Sequence, residues 1–497
     1  MIIKICDWII FYSLIFLVTL TPLIINPWGD DQFRLPKEVF AQIMIIIAFS
    51  SYLIKLLEES LIPPNPPLLK GGKGGIFLSV IKRIFKKTPF ILPISLLILA
   101  SLLSLINSTS ALFSFKSILN IILYSLLYIL IVNNIKDEKQ VRILLISALI
   151  SGAVTSIYCL IQYFGLDPIT YTVNPAQPNV GSYRTTGFLD NPDIVSGYLI
   201  IFPTVTLSMF LASAKLALRI FFFSAFLLIT SIIIMIHSIA PIFGLFAAFL
   251  VFMVFVKPHL PSKVKIGLAV LLISFVGMGF ITGKFGSIFN RASSLYEGFQ
   301  DLSSDRLLMW RTAGEMIKDE PAVGIGIGMY KVKFFEYRDK VLDKVPYFGG
   351  YEKAEQAHNE YLQLLAEMGT IGIVAVIWLI IGYFIYTIKL IIPRSSAAGL
   401  LYIPSPLEGE GRVRGTTNNQ LMIIGLISGV TAILIDAIGS FPFHIAPSAV
   451  LSVVLIALTV SIQNLSSPIE RRLSLPSSSP SERNLSLLSS SLLEGED

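Results

Sequence analysis

The chain has 497 residues, of which 54% are hydrophobic and only 14% charged, with a mean hydropathy of +0.75. Apolar surface on that scale must face lipid, which excludes an ordinary soluble domain. The formal net charge of +6 is modest, and no basic patch with interleaved aromatics points to nucleic acid. Cys6 and Cys159 sit in or beside apolar runs and form neither a disulfide framework nor a metal-ligand spacing, so no metal or other cofactor is expected.

Lys4 precedes an apolar run from Trp8 to Ile25 that is long for a signal-peptide core and lacks a clear small-residue cleavage site. It reads as a first span. A span needs about twenty mostly apolar residues. Twelve are predicted, at 8–25, 38–57, 89–106, 117–132, 142–163, 194–213, 218–236, 239–256, 265–282, 370–392, 420–438 and 445–463. The fold class is therefore all-α and polytopic, with a large, partly helical loop between spans nine and ten. With the amino end inside, Lys plus Arg number 23 on the inner side and 4 in the short outer loops. That asymmetry predicts both termini in the cytoplasm and the 283–369 loop outside.

Five regions follow: spans one to five over 1–180, a core over 181–392, a linker over 393–419, the last two spans over 420–463, and a tail over 464–497. Residues 62–75, 403–415 and the Ser-rich tail from Leu475 are Pro/Gly/Ser-biased and read as disordered linker.

Between spans five and six lies Tyr183-Arg184-Thr185-Thr186-Gly187-Phe188-Leu189-Asp190-Asn191-Pro192-Asp193. Arg184 is the only basic residue between Arg142 and Lys215. Its planar fork suits a phosphate, or it anchors in the headgroup layer. In the long loop, Asp305 to Lys318 reads as an amphipathic helix, with Leu308, Trp310, Ala313, Met316 and Ile317 at helical spacing. Arg306 and Trp310, four apart, share a face. Arg306 and Arg311 read either as anion ligands or as plain surface charges. Gly324-Ile325-Gly326-Ile327-Gly328 permits close backbone approach to a ligand, or merely tight packing.

The loop ends on Ala357-His358-Asn359-Glu360-Tyr361-Leu362-Gln363-Leu364-Leu365-Ala366-Glu367-Met368-Gly369. A helix here, closed by Gly369, would carry His358 in its first turn. There the helix dipole disfavours imidazolium and leaves a neutral ring able to take a proton. A packed interfacial histidine is the bland alternative. Asp436 lies inside span eleven, where an aspartate costs about 2.5–3.5 kcal/mol on the insertion scale. It should face the bundle interior, with His444 as a plausible neighbour.

Three motifs in this order, Arg184-Thr-Thr-Gly-Phe-Leu-Asp-Asn-Pro-Asp, Arg306-x-x-x-Trp310 followed by Ile-Lys-Asp-Glu-Pro-Ala-Val-Gly-Ile-Gly-Ile-Gly, and the His358 segment, resemble the O-antigen ligase and polymerase superfamily. The likeness covers roughly residues 180 to 380. It implies a metal-independent glycosyltransferase of the bacterial inner membrane that takes a glycan from an undecaprenyl diphosphate carrier on the periplasmic face. The acceptor would be lipid A core, another glycan or a protein. The resemblance implies His358 as the base and Arg306 as its catalytic partner. Arg184, Arg311, Trp310, Asn359, Tyr361 and Asp436 are the candidate substrate contacts. One departure stands out. Where such proteins often carry a Ser-Arg-Gly-like motif, this chain has His237-Ser238-Ile239-Ala240-Pro241, with no arginine. A twelve-span transporter or lipid flippase is the competing class, though no two similar halves are visible.

Overall fold

The computed structural model describes residues 1–29, 31–61, 88–167, 185–236, 238–256, 267, 305–342, 354–392 and 410–466. Helices α1 to α5 span Ile2–Leu20, Arg34–Leu61, Ile91–Leu103, Ala111–Asn134 and Glu138–Tyr163. Helices α6 to α9 span Pro192–Leu199, Phe202–Ala212, Leu216–Ile236 and Ile239–Val256. Then come α10 (Asp305–Asp319), α11 (Tyr330–Leu342), α12 (Glu360–Ile391), α13 (Glu410–Asp436) and α14 (Ala446–Ser466). No strand occurs among the described residues.

Among the described residues, ten stretches of helix are long and apolar enough to cross a membrane. They match ten of the expected spans. The third expected span is the shorter α3 with a 3-10 turn at Ser104–Asn107, and the ninth, 265–282, lies outside the described residues save for residue 267. The protein is an all-α polytopic membrane protein. On α12, Trp378, Ile381 and Ile385 form an exposed stripe at helical spacing, as a lipid-facing surface requires. Of the linker-like segments, 62–75, 403–409 and the tail from Leu475 lie outside the described residues. From Glu410 onward, the expected linker is instead the start of α13. No proline lies between Glu410 and Asp436 to stop the helix from starting that early.

The expected sixth span is broken into α6 and α7. Pro192 starts α6, where its missing N–H costs nothing, and Pro203 does the same for α7. α7 and α9 both pack on α13, making that helix the buried centre of one half. Its Gly425 lets Thr204 Oγ1 donate to the Gly425 carbonyl at 3.3 Å. α3 packs on α12, and α14 on α4.

The two ends of the bundle are chemically distinct. At one end Asp7 pairs with Lys136 and, at 2.9 Å, with Lys55, while Asn419 donates to Glu138 at 2.7 Å. The opposite end collects the connections predicted to be outer. There Arg34 meets Glu355 at 3.1 Å, and Asn107 donates to the Gly324 carbonyl at 2.9 Å. α10 and α11 pack on each other and on α12, building a cap at this loop end.

Candidate functional site

α10 forms where the sequence predicts it and ends before Pro321, whose ring cannot continue a helix. Leu308, Ala313 and Met316 are its buried face. Trp310 Nε1–H donates to the Ala357 carbonyl at 3.0 Å, which ties α10 to the residues leading into α12.

His358 does not occupy the first turn of α12, contrary to the sequence expectation. Asn359 is the N-cap, its side-chain oxygen accepting the Leu362 N–H at 3.0 Å. His358 precedes it at φ +49°, in the left-handed region that a residue with a Cβ occupies at a cost of about 1–3 kcal/mol. Asn won the capping position because its short side chain reaches the orphan N–H. Gly369 does end the first part of α12, at φ +63°, after which the helix resumes on a new axis.

The His358 ring packs edge-on against Phe441, with centroids 4.9 Å apart. Burial pushes its pKa down to about 4, helped by the cations Arg306 and Arg34 and opposed by Asp193. The ring is therefore neutral at pH 7, through desolvation and then guanidinium charge.

Arg306 sits 3.8 Å from Asp193, a loose ion pair with both side chains about one-third exposed. The other Asp193 oxygen accepts Ser238 Oγ–H at 2.7 Å. Asn191 caps α6 by accepting the Asp193 N–H at 2.8 Å, which fixes Asp193 in the first turn. The segment that lacks the expected arginine thus contributes Ser238 to the same cluster, and Arg306 is its cation. Asp193 and Ser238 went unassigned in the sequence because their meeting depends on α6, α9 and α10 converging.

Arg184 and His237 lie outside the described residues. Arg311 is five positions beyond Arg306, about 140° around the helix. Tyr361 Oη donates to the Leu434 carbonyl at 2.7 Å. Asp436 is fully buried, as expected of an intramembrane carboxylate, and a Cβ on Gly197 would lie 2.8 Å from its Oδ2. It lies within electrostatic reach of Asp193, Arg306 and Glu360. His444 is not its partner. Its Nδ1 pairs with Glu360 Oε1 at 2.9 Å.

The glycine run packs against protein. A Cβ on Gly324, at φ +76°, would lie 2.3 Å from the Glu367 carbonyl carbon. Ile325 and Gly326 donate backbone hydrogens to the Ala366 and Glu367 carbonyls at 2.9 and 3.1 Å. The Glu367 carboxylate then accepts the Gly328 and Tyr330 N–H groups at 2.9 and 3.0 Å, capping α11. The run locks the loop onto α12.

A cavity of about 410 Å³ is lined in part by Glu355, Gln356 and Glu360. Glu360, Tyr361, Gln363 and His444 border it. Among the described residues, no group of three or more His, Cys, Asp or Glu is placed to hold a metal ion.

Comparison with known families matches residues 224–377 to the family model described as O-antigen ligase. The match runs from α8 to the middle of α12 and includes Ser238, Arg306, Trp310 and His358. Comparison with curated proteins gives no match.

Proposed function

We propose that this chain, a member of the O-antigen ligase superfamily through residues 224–377, moves a glycan from an undecaprenyl diphosphate carrier to an acceptor hydroxyl. The loop end of the bundle would face the periplasm of a bacterial inner membrane, with both termini cytoplasmic. The observation that carries this reading is the meeting of His358 with the Arg306–Asp193 pair at that end.

Breaking the sugar–diphosphate bond builds negative charge on the phosphate oxygens. Arg306 is the cation for it: its 3.8 Å contact with Asp193 is loose enough to exchange for a phosphate oxygen. Each charge-assisted contact contributes about 1.5–3 kcal/mol. Arg184, whose loop leads into α6, is the proposed second cation, with Arg311 in reserve.

His358 orients the acceptor hydroxyl and takes its proton as the oxygen attacks the anomeric carbon. A base near pKa 4 is weak, chiefly through burial, and the substrate offsets part of the remainder. A bound diphosphate neutralises the Arg306 charge that depresses the imidazole, and so raises its basicity when the acceptor is in place. General-base assistance of this kind contributes about 10²–10⁴-fold. Trp310 and Asn359 position the ring by holding the backbone on either side of it.

The test is transfer by purified protein from a lipid-diphosphate glycan to candidate acceptors, repeated with His358→Ala and Arg306→Ala. Loss of transfer in both, with normal insertion, is the expected result. Parental rates in both correctly inserted variants would overturn the assignment.

A further inference from the structure

Asp193 and Arg306 belong to helices with different neighbours. α6, which carries Asp193, packs on α5, α8, α9 and α14, whereas α10, which carries Arg306, packs on α11 and α12. Asp193 is pinned to its own side. Its N–H donates to the Asn191 side chain at 2.8 Å and its Oδ1 accepts Ser238 Oγ–H at 2.7 Å. It lies in the first turn of α6, where the helix dipole favours a carboxylate. Ser238 is itself buried. Oδ2 is the atom turned to Arg306, and at 3.8 Å it is beyond hydrogen-bond length.

Both side chains of the pair are about one-third exposed, so an anion can reach the guanidinium without unfolding anything. Asp436 is also within electrostatic reach of Arg306. It is fully buried and its oxygens have no hydrogen-bond partner, so it exchanges with no ligand and acts alike before and after one binds. Asp193 is the carboxylate that an incoming phosphate has to displace.

Glycan transfer changes the anion that Arg306 would hold. The donor's diphosphate is esterified at both ends. When the sugar–oxygen bond breaks, its electron pair stays on the phosphate oxygen, and the product keeps a terminal phosphate able to carry a further negative charge near neutral pH. A fixed cation therefore binds the product more tightly than the donor. Product departure limits the turnover of many enzymes, and a site built from fixed cations is prone to it.

We propose that Asp193 is a positioning residue for product release: pinned by Ser238, it competes with the diphosphate for Arg306 and reclaims the guanidinium as the product leaves. The nature of the anion rests on the transferase reading above, whereas the competition for Arg306 rests on the pair's geometry. The sign of the effect separates this role from a structural one. A carboxylate that only held Arg306 in place would, once neutralised, weaken diphosphate binding. A competing carboxylate, once neutralised, strengthens it.

The experiment uses the full chain in phosphatidylcholine nanodiscs loaded with undecaprenyl diphosphate, chased with excess inorganic pyrophosphate. A fully exposed ion pair would change the release rate only a few-fold. With this pair mostly shielded, Asp193→Asn should slow release by about tenfold. Asp193→Ser, also uncharged, repeats the measurement should the asparagine variant not insert. Asp193→Glu restores the charge and should return release to within about threefold of the parent. In an Arg306→Ala protein the asparagine substitution should change release by less than about twofold. Unchanged or faster release from the uncharged variants, or the same slowing without Arg306, would overturn the proposal. Either result, with glycan transfer intact in the parent, would leave the transferase reading standing. Slowed release in variants of a parent that transfers no glycan would uphold the competition and sink the transferase reading.

Discussion

Arg306 stands 3.8 Å from Asp193 and, from the same position, helps hold His358 in its neutral form. One guanidinium thereby couples the proposed anion site to the proposed base. The carboxylate that steadies it is itself held by Ser238, from the segment joining α8 and α9.

Replacing Arg306 with alanine should lower kcat/KM for glycan transfer by roughly 10–100-fold, the cost of one charge-assisted contact of about 1.5–3 kcal/mol. The same change should raise the His358 pKa, because a depressing charge is gone. Transfer kinetics and imidazole titration by NMR check the two effects separately. A rate loss with no pKa rise would mean that the charge does not reach the ring.

The pH dependence of kcat/KM reports the free protein. With His358 at about 4, the neutral ring persists down through pH 5, so the acid limb contributed by this group should lie near 4 and not near 6.5. The limb should vanish in His358→Ala, together with about 10²–10⁴-fold in rate. A limb centred on 6.5 would show the ring to be solvated.

His444 gives the opposite sign in stability. Its pKa rises from 6.5 to about 9 on folding, so its protonated form stabilises fully below the unfolded value, and that contribution is lost as pH rises through 9. The groups facing it are Glu360, Glu367, Lys331 and Gln363. Melting temperatures taken between about pH 6 and pH 9.5 should fall more steeply for the parent than for His444→Gln. Parallel curves would remove the ion pair from the account.

Gly324→Ala and Gly369→Ala each put a methyl group into backbone. At Gly369 the added Cβ would lie 2.2 Å from the Ala322 carbonyl oxygen, at φ +63°. Each should destabilise by more than about 1 kcal/mol, since neither neighbour is a side-chain end that can swing away. Thermal unfolding of the purified variants measures it, and unchanged melting would refute the interlock between the glycine run and α12.

Much of the fold was legible because lipid imposes a local rule. About twenty apolar residues must form a helix that satisfies its own backbone, so runs such as 239–256 declare themselves. α10 was readable from the spacing of Leu308, Ala313 and Met316, and its end from Pro321. The helix start at Asn359 was less so, because His358 and Asn359 differ by one position and only cap geometry separates them. The glycine run was ambiguous, since alternate glycines admit a ligand or a neighbouring backbone equally well.

The amino-acid sequence by itself determined the helical membrane architecture and singled out His358 and Arg306 as candidates, because each rests on periodicity or on residue type within a few turns of chain. Only the tertiary structure decided what those residues do to one another. Asp193, Arg306, His358 and Phe441 come from four separate segments, and the neutral imidazole arises from burial and Coulomb forces where they meet, as the Glu360–His444 pair arises where two others meet. Such forces depend on distances in space, and those are set by helix packing rather than by spacing along the chain.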